Sequence, residues 1–516
     1  MARYYLTLKI EHLKLPLNTT MRFLFIALIL LAQAGVLSAQ DSDADSRDEP
    51  IRIGTKVFTE SVILGELLRQ SVEAGEETAG RDVVLLKQLG GTRILWNALV
   101  DGEIDAYPDY TGTITEEILA ETSIDGSDEL REELAKFGVR MTRPLGFNNT
   151  YAIGMRREVA QKYGINTISD LRDHPELRFG FSNEFMDRSD GWPGLRAAYD
   201  LAPGSVNGLD HDLAYRGLES GNIEVIDLYS TDPEIEYYDL KVLEDDRDFF
   251  PRYEAVYLYR EALGDEVIRA ITRFEGQIPR EDIIQMNAAV KIERADEAVT
   301  AADFLRASFG IESGASGDSL GERLWKTTGD HLYLVGISLG LAVLVSIPLG
   351  ILAAKIRPLE TLVLGCVGIL QTIPSLALLV FMIPLFGIGA VPAIAALFVY
   401  SLLPIVRNTH AGIKNIPGPL MESARAIGLP DAHILRKIEL PLATSSILAG
   451  IKTSAVINVG VATLGALIGA GGYGQPILTG IRLDSVPLIL EGAIPAAVMA
   501  LIAQGFFDGV EKWLKK

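Results

Sequence analysis

Apolar positions fall into two regimes along the chain. Up to about residue 311 they form short strand-like runs alternating with stretches at helical spacing: IRIGTKV from Ile51, a helix over 61–74, DVVLLKQL, a helix over 92–102 opened by Gly90, Gly91 and Thr92, then IDAYPDY. Such alternation predicts parallel strands covered by helices. The pattern resumes from Phe147 to Leu228, after which YEAVYLYR and the helical stretches of 261–310 lead back to the first region. The expectation is a two-lobed α/β domain over 51–311, with lobe 1 about 51–145 and 230–311 and lobe 2 about 146–229. The chain crossings between lobes would hinge a cleft.

From residue 328 the apolar runs lengthen, and LYLVGISLGLAVLVSIPLGILAA carries no charge over a length that crosses a bilayer. Five spans are predicted, near 332–354, 361–387, 390–407, 446–470 and 486–508, the second bent at Pro374, giving an all-α transmembrane domain over 328–516. An odd number puts the ends of this domain on opposite sides. The loops 355–360 and 408–445 and the tail 509–516 share one side and hold Lys355, Arg357, Lys414, Arg425, Arg436, Lys437, Lys512, Lys515 and Lys516, whereas the opposite loops hold only Arg482. The positive-inside rule assigns the basic side to the cytoplasm and the α/β domain to the outside. MRFLFIALILLAQAGVLSAQ from Met21 has the layout of a secretory signal, so 1–40 is read as a signal peptide or a retained anchor, followed by an acidic linker over 41–50. ESGASGDSLGE opens a flexible linker over 312–327. Lys452, inside a span, is read either as a snorkelling structural residue or as part of the pathway, and Glu491 as interfacial.

Charge divides at the same place. Residues 328–516 carry 12 Lys and Arg against 9 Asp and Glu, so the chain's net −21 separates into +3 there and −24 before it. An acidic outer half argues against a nucleic-acid partner. A single cysteine, Cys366, excludes an intramolecular disulfide, and the histidines at 12, 174, 211, 331, 410 and 433 show no ligand spacing, so no metal or other cofactor is assigned. No phosphate-binding loop occurs, and no nucleophile, base and oxyanion donors group into a catalytic set. An enzyme is not expected.

The loop MESARAIGLPDAHILRKIELPLA puts Glu422, Ala424 and Ala426 on a short helix of good formers, which Gly428 can end at positive φ and Pro430 cannot extend. Glu422, Ala424, Gly428, Ile438, Leu440 and Pro441 stand at the spacing of the coupling motif, and the loop resembles that of ABC importer permeases. The resemblance implies two permease copies around a pathway, two copies of a separate cytoplasmic ATPase beneath them, and residence as a multi-pass protein in the lipid of a bacterial cytoplasmic membrane. GALIGAGGYGQPILTGI adds to the match, its glycines being suited to a broken helix at the outer mouth.

GTKVFTE, the Gly-Gly-Thr helix start, YPDYTGT, FNNTYAIGM and DLYSTD, in that order, resemble the binding proteins of the glycine betaine, carnitine and choline uptake family. That implies a type II periplasmic-binding-protein-like fold. A trimethylammonium group donates no hydrogen bond and is held by ring faces. The family's aromatic cage falls on Tyr110, Tyr151, Tyr229 and Tyr253, with Tyr107 as the alternative to Tyr110; each tyrosine alone is equally a core residue. Lys56, Thr113 and Arg188 match the donors for a ligand carboxylate, although either cation can instead be a surface residue or an interlobe partner. Asn149 contacts the ligand or orients Tyr151. Two cations favour glycine betaine over choline, with carnitine and other amines open. A ligand-gated channel or receptor shares the two-lobed outer domain but not the coupling loop.

Overall fold

The computed structural model describes residues 50–75, 82–122, 124, 126–314, 319–483 and 485–514. The signal or anchor expected over 1–40 and nearly all of the 41–50 linker lie outside them, as do residues 315–318 of the second linker.

Ten strands form two five-stranded sheets. The first contains β1 (Ile51–Gly54), β2 (Val83–Leu86), β3 (Ala106–Tyr110), β4 (Val139–Met141) and β10 (Ala255–Arg260), in the order β2-β1-β3-β10-β4. The second contains β5 (Tyr151–Arg156), β6 (Arg178–Ser182), β7 (Ser205–Leu209), β8 (Val225–Tyr229) and β9 (Leu240–Val242), in the order β7-β6-β8-β5-β9. Within each sheet the strands joined by helical crossovers run parallel, as the alternation predicts. The returning strand does not: β10 is antiparallel to β3, and β5 is antiparallel to β8. The sheets are therefore mixed. β9 pairs with β5, so the second lobe runs past the 229 boundary read from the sequence and the chain returns to lobe 1 only before β10. Three-residue β9, LKV, is too short to carry a strand pattern of its own.

Helix α1 (Thr59–Glu73), TESVILGELLRQSVE, has apolar residues nearly all round and is buried along most of its length. It lies against the first sheet and against α4 (Arg280–Lys291) and α5 (Glu297–Phe309), both from the returning chain. Between them in sequence, α2 (Thr92–Val100) and α3 (Asn183–Asp187) each open at the cleft.

The second half is helical: α6 (Leu320–Lys355), α7 (Arg357–Thr372), α8 (Ser375–Phe386), α9 (Ala390–Lys414), α10 (Gly418–Ala426), α11 (Leu440–Val461), α12 (Gly474–Arg482) and α13 (Val486–Leu514). Among the described residues, four helical runs are long and apolar enough to cross a membrane, and α7 with α8 makes a fifth candidate bent by 100°. The bend falls at Pro374, which lacks an N–H and drives Ile373 to an extended conformation. Small residues let α6, α9 and α11 pack closely: a Cβ on Gly350 would lie 2.6 Å from Thr409 Cβ. Two ion pairs join charged groups of the span helices. Lys452 donates to Asp508 at 2.8 Å, and Arg323 meets Glu491 through two contacts of 2.9 Å. The Lys452 pair favours the structural alternative.

Gly350→Val forces the α6 and α9 backbones apart and is expected to destabilise the bundle by about 1–3 kcal/mol. A thermal melt in detergent should shift down; an unchanged melt would show that the contact is not close.

Candidate ligand-binding cleft

The mixed sheets explain why residues far apart in sequence meet. Parallel strands end at the cleft, and the antiparallel returning strands begin there. Tyr110 ends β3 and is opposite Ala255 of β10, two residues after Tyr253. Tyr229 ends β8 and is directly opposite Tyr151, the first residue of β5. The Tyr151 ring lies 5.3 Å from Tyr229 and 5.6 Å, at 87°, from Tyr253, centroid to centroid. Phe58 joins them, 6.2 Å from Tyr110 and 5.9 Å from Tyr229.

One cavity is lined by Lys56, Phe58, Thr92, Tyr110, Thr113, Asn149, Tyr151, Glu184, Arg188, Tyr229 and Tyr253. All eight ligand residues expected from the sequence are in that lining. Tyr107, the alternative to Tyr110, instead packs in the lobe 1 core with Leu95 and Leu258. The cavity measures about 30 Å³, the share of one water molecule. The cavity is narrow, and Arg188 of lobe 2 reaches Glu117 of lobe 1 across it at 2.7 Å, so the lobes meet at the cleft. A larger cavity of about 340 Å³ lies between α1 and residues 312–314, away from the rings, and offers no aromatic face.

Both cations are already paired. Lys56 Nζ donates to Asp109 at 2.6 Å and to Thr92 at 3.1 Å. Arg188, with its guanidinium carbon 5.7 Å from the Tyr151 centroid, donates to Asp190 at 2.8 Å and across the cleft to Glu117 at 2.7 Å. Arg188 is thus an interlobe bridge within the cavity wall. A ligand carboxylate would have to share it with two resident carboxylates.

Three groups that the sequence did not reveal hold the cage in place. Glu60, within GTKVFTE, is buried and accepts hydrogen bonds from Tyr110 at 2.5 Å, Asn149 at 2.9 Å, Thr231 at 2.5 Å and Asn287 at 2.9 Å. Burial raises its carboxyl above the ordinary range and the four donors oppose that shift. Asn149 lies on the crossing from β4 to β5 and Thr231 in the lobe 2 connection between β8 and β9, so Glu60 ties lobe 1 both to the hinge and to lobe 2; Asn149 acts through Glu60 as well as lining the cavity. His211 stacks on Tyr229 at 4.2 Å and pairs with Asp232 at 2.9 Å. Burial disfavours the imidazolium, but Asp232 and Asp227 hold its pKa well above the ordinary histidine value. Lys291 of α4 reaches Glu234 at 2.7 Å and Asp212 at 3.0 Å, a second bridge from lobe 1 to lobe 2.

Residues 49–307 match the family described as the substrate binding domain of an ABC-type glycine betaine transport system, and residues 346–516 match the binding-protein-dependent transport system inner membrane component. The chain belongs to the glycine betaine/carnitine/choline ABC importer family. It is 46% identical over 182 residues to the glycine betaine/carnitine/choline transport system permease protein of Bacillus subtilis (strain 168), covering 35% of this chain and 83% of that one. It is 44% identical over 180 residues to the osmoprotectant import permease protein of Salmonella typhimurium (strain LT2), covering 34% and 84%. A solved glycine betaine/carnitine/choline ABC transporter structure is 31% identical and covers 50% of this chain and 98% of that one, with a TM-score of 0.43. As a fused binding domain and permease for quaternary ammonium osmoprotectants, this importer component is not an enzyme and works with an ATPase partner.

Two measurements follow from the layer behind the cage. Glu60→Ala orphans four buried donors, each worth about 1–3 kcal/mol, and is expected to lower both the melting temperature and the ligand affinity; a variant with wild-type values in both would remove Glu60 as a hinge tie. His211, with its raised pKa, contributes in full below about pH 6.5 and loses its contribution only as pH rises through the displaced value. Because Asp232 and Asp227 keep the imidazolium charged through the ordinary histidine value, ligand affinity is expected to show no step near about pH 6.5; a step there that disappears in His211→Phe would show an unshifted histidine.

Proposed function

We propose that the chain captures glycine betaine outside a bacterial cytoplasmic membrane and passes it through a homodimeric permease driven by two copies of a cytoplasmic ATPase. The convergence of Tyr110, Tyr151, Tyr229 and Tyr253 with Lys56, Thr113 and Arg188 on one closed cavity carries this reading. The rings take the trimethylammonium head, and Arg188 and Lys56 take the carboxylate once closure brings the lobes together. The outside position of the binding domain rests on the basic residues of the opposite loops. At the coupling loop, Gly428 has φ +80°, and Ile427 beside it is 76% exposed. That exposed apolar side chain, in the same loop region as Glu422, Ala424, Ile438, Leu440 and Pro441, suits docking into a groove on the ATPase.

The paired state of the two cations favours a second reading. With Asp109, Asp190 and Glu117 engaging Lys56 and Arg188, and Glu184 also lining the cavity, the cleft is not cationic overall, and choline satisfies it without displacing a carboxylate.

Calorimetric titration of the purified chain with glycine betaine, choline and carnitine separates the two. Tyr229→Ala is expected to weaken any quaternary amine by about 0.5–2 kcal/mol, roughly 2- to 30-fold. Arg188→Ala is expected to weaken betaine and leave choline nearly unchanged. Choline binding without betaine binding would move the cargo to choline, and no binding of any of the three would leave only the permease assignment.

A further inference from the structure

Resting on that functional reading, one residue stands out among those it leaves unused. Arg482, the only basic residue of the loops opposite the basic side, is not free in solvent: it is 7% exposed and inserted into the binding domain. Its Nη1 donates to Thr59 Oγ1 at 2.6 Å, and its Nη2 pairs with Glu297. Glu297 also meets Lys87 at 3.2 Å, and Lys87 meets Glu66 at 2.8 Å. Burial alone would raise the Glu297 carboxyl, but Arg482 and Lys87 hold it at about 2, so it stays ionised throughout the working pH range.

The surrounding contacts have the same character. One turn before Arg482 on α12, Thr479 accepts from Gln88 at 2.9 Å. Gly469 has φ +75°, and a Cβ there would lie 2.4 Å from Leu89 Cδ2, so this position needs glycine both for its conformation and for the approach of the binding domain. These lobe 1 contacts belong to the two segments that line the ligand cavity: Thr59 follows Phe58, and Gln88 and Leu89 lead into Thr92. On the permease side, α12 packs against α13 and the helical turn that continues α11.

We propose that Arg482 is the latch between ligand cleft and permease: through Glu297 and Thr59 it holds lobe 1 on α12 of the same chain, so that rearrangement of the two cavity-lining segments is felt by the membrane helices. The latch grips lobe 1 and leaves lobe 2 to open and close while the domain stays docked. Arg482 touches no part of the cavity, which makes it a coupling residue and not a ligand residue.

The test uses the full-length chain with its ATPase in proteoliposomes, with glycine betaine as the ligand. Arg482→Glu is expected to leave the betaine Kd within about twofold and to lower betaine-stimulated ATP hydrolysis by about tenfold or more, as loss of a buried charge pair does. Arg482→Glu combined with Glu297→Arg is expected to recover most of the stimulation. Wild-type stimulation in the single variant, or no recovery in the folded double variant, would overturn the latch. A second measurement needs no ligand: Gln88→Cys with Thr479→Cys, in a Cys366→Ala background, is expected to cross-link with a short bifunctional thiol reagent at monomer mass. A dimer-mass product, or none, would overturn docking within one chain. Absence of betaine binding in the wild type would instead count against the functional reading, and the cross-link would still report on the latch.

Discussion

Each lobe closes its sheet with one strand that runs against the others, and the cleft depends on that reversal. A purely parallel sheet presents only strand ends and helix starts to a ligand. Inserting β10 and β5 antiparallel brings the beginnings of two further strands to the same edge, and the register Tyr151↔Tyr229 then places two rings side by side with no loop to position them. A slip of one residue would turn both rings to the other face of the sheet. Glu60 takes up what the register leaves undetermined. A buried carboxylate needs donors on both oxygens, and those it finds come from β3, from the β4–β5 crossing, from the lobe 2 connection after β8 and from α4, so orientation of Tyr110 and placement of the two lobes are one requirement.

The electrostatics of the cleft follow from its closure. Arg188 between Glu117 and Asp190, and Lys56 against Asp109, are charge pairs largely removed from water, where an unmatched member would be far more unfavourable than in solvent. Of these, the Arg188–Glu117 pair joins the two lobes across the cleft, while the other two fix each cation within its own lobe. Any ligand carboxylate enters a competition for Arg188 that a hydroxyl does not. On the proposed function, selectivity among quaternary amines rests on how Glu117 and Asp190 rearrange, and the ring faces, which would bind every trimethylammonium alike, contribute little to it.

Much of this was legible in the sequence because local signals carry it. Strand and helix alternation gave the α/β halves, unbroken apolar runs gave the spans, Pro374 marked the bend, and Gly428 took the positive φ expected for a helix stop. The cavity-lining residues were found through ordered motifs, since nothing in the local pattern of Tyr229 or Tyr253 sets them apart from core tyrosines. What was missed is non-local. Phe58 and Glu60 lay within a quoted motif, but their partners are separated from them by up to 227 residues along the chain, as Asn287 is from Glu60. The pairing of Arg188 with Glu117 and of His211 with Asp232 has no periodicity to announce it. The lobe boundary failed for a similar reason: β9 is a strand because β5 is beside it, not because LKV prefers to be one.

The membrane half has a continuity that bears on how its two ends communicate. Leu440 and Pro441 are the first residues of α11, a helix of 22 residues and hence about 33 Å long, close to the thickness of the hydrocarbon core. At its far end the chain passes through the turn Ala462–Ile468 to Gly469 and then α12, which ends in Arg482. One uninterrupted stretch of chain therefore begins at the loop that carries Gly428 and ends in the binding domain, with no long loop to absorb motion between. Glu439, just before α11, is tied to Lys355 at the end of α6 at 2.6 Å, so the two central helices start from a shared ion pair. A rigid-body shift of α11 imposed at its Leu440 end must either move Gly469 and α12 or break their contacts with lobe 1, because a packed helix transmits displacement and does not compress. The same constraint runs in reverse, from an occupied cleft to the Gly428 loop.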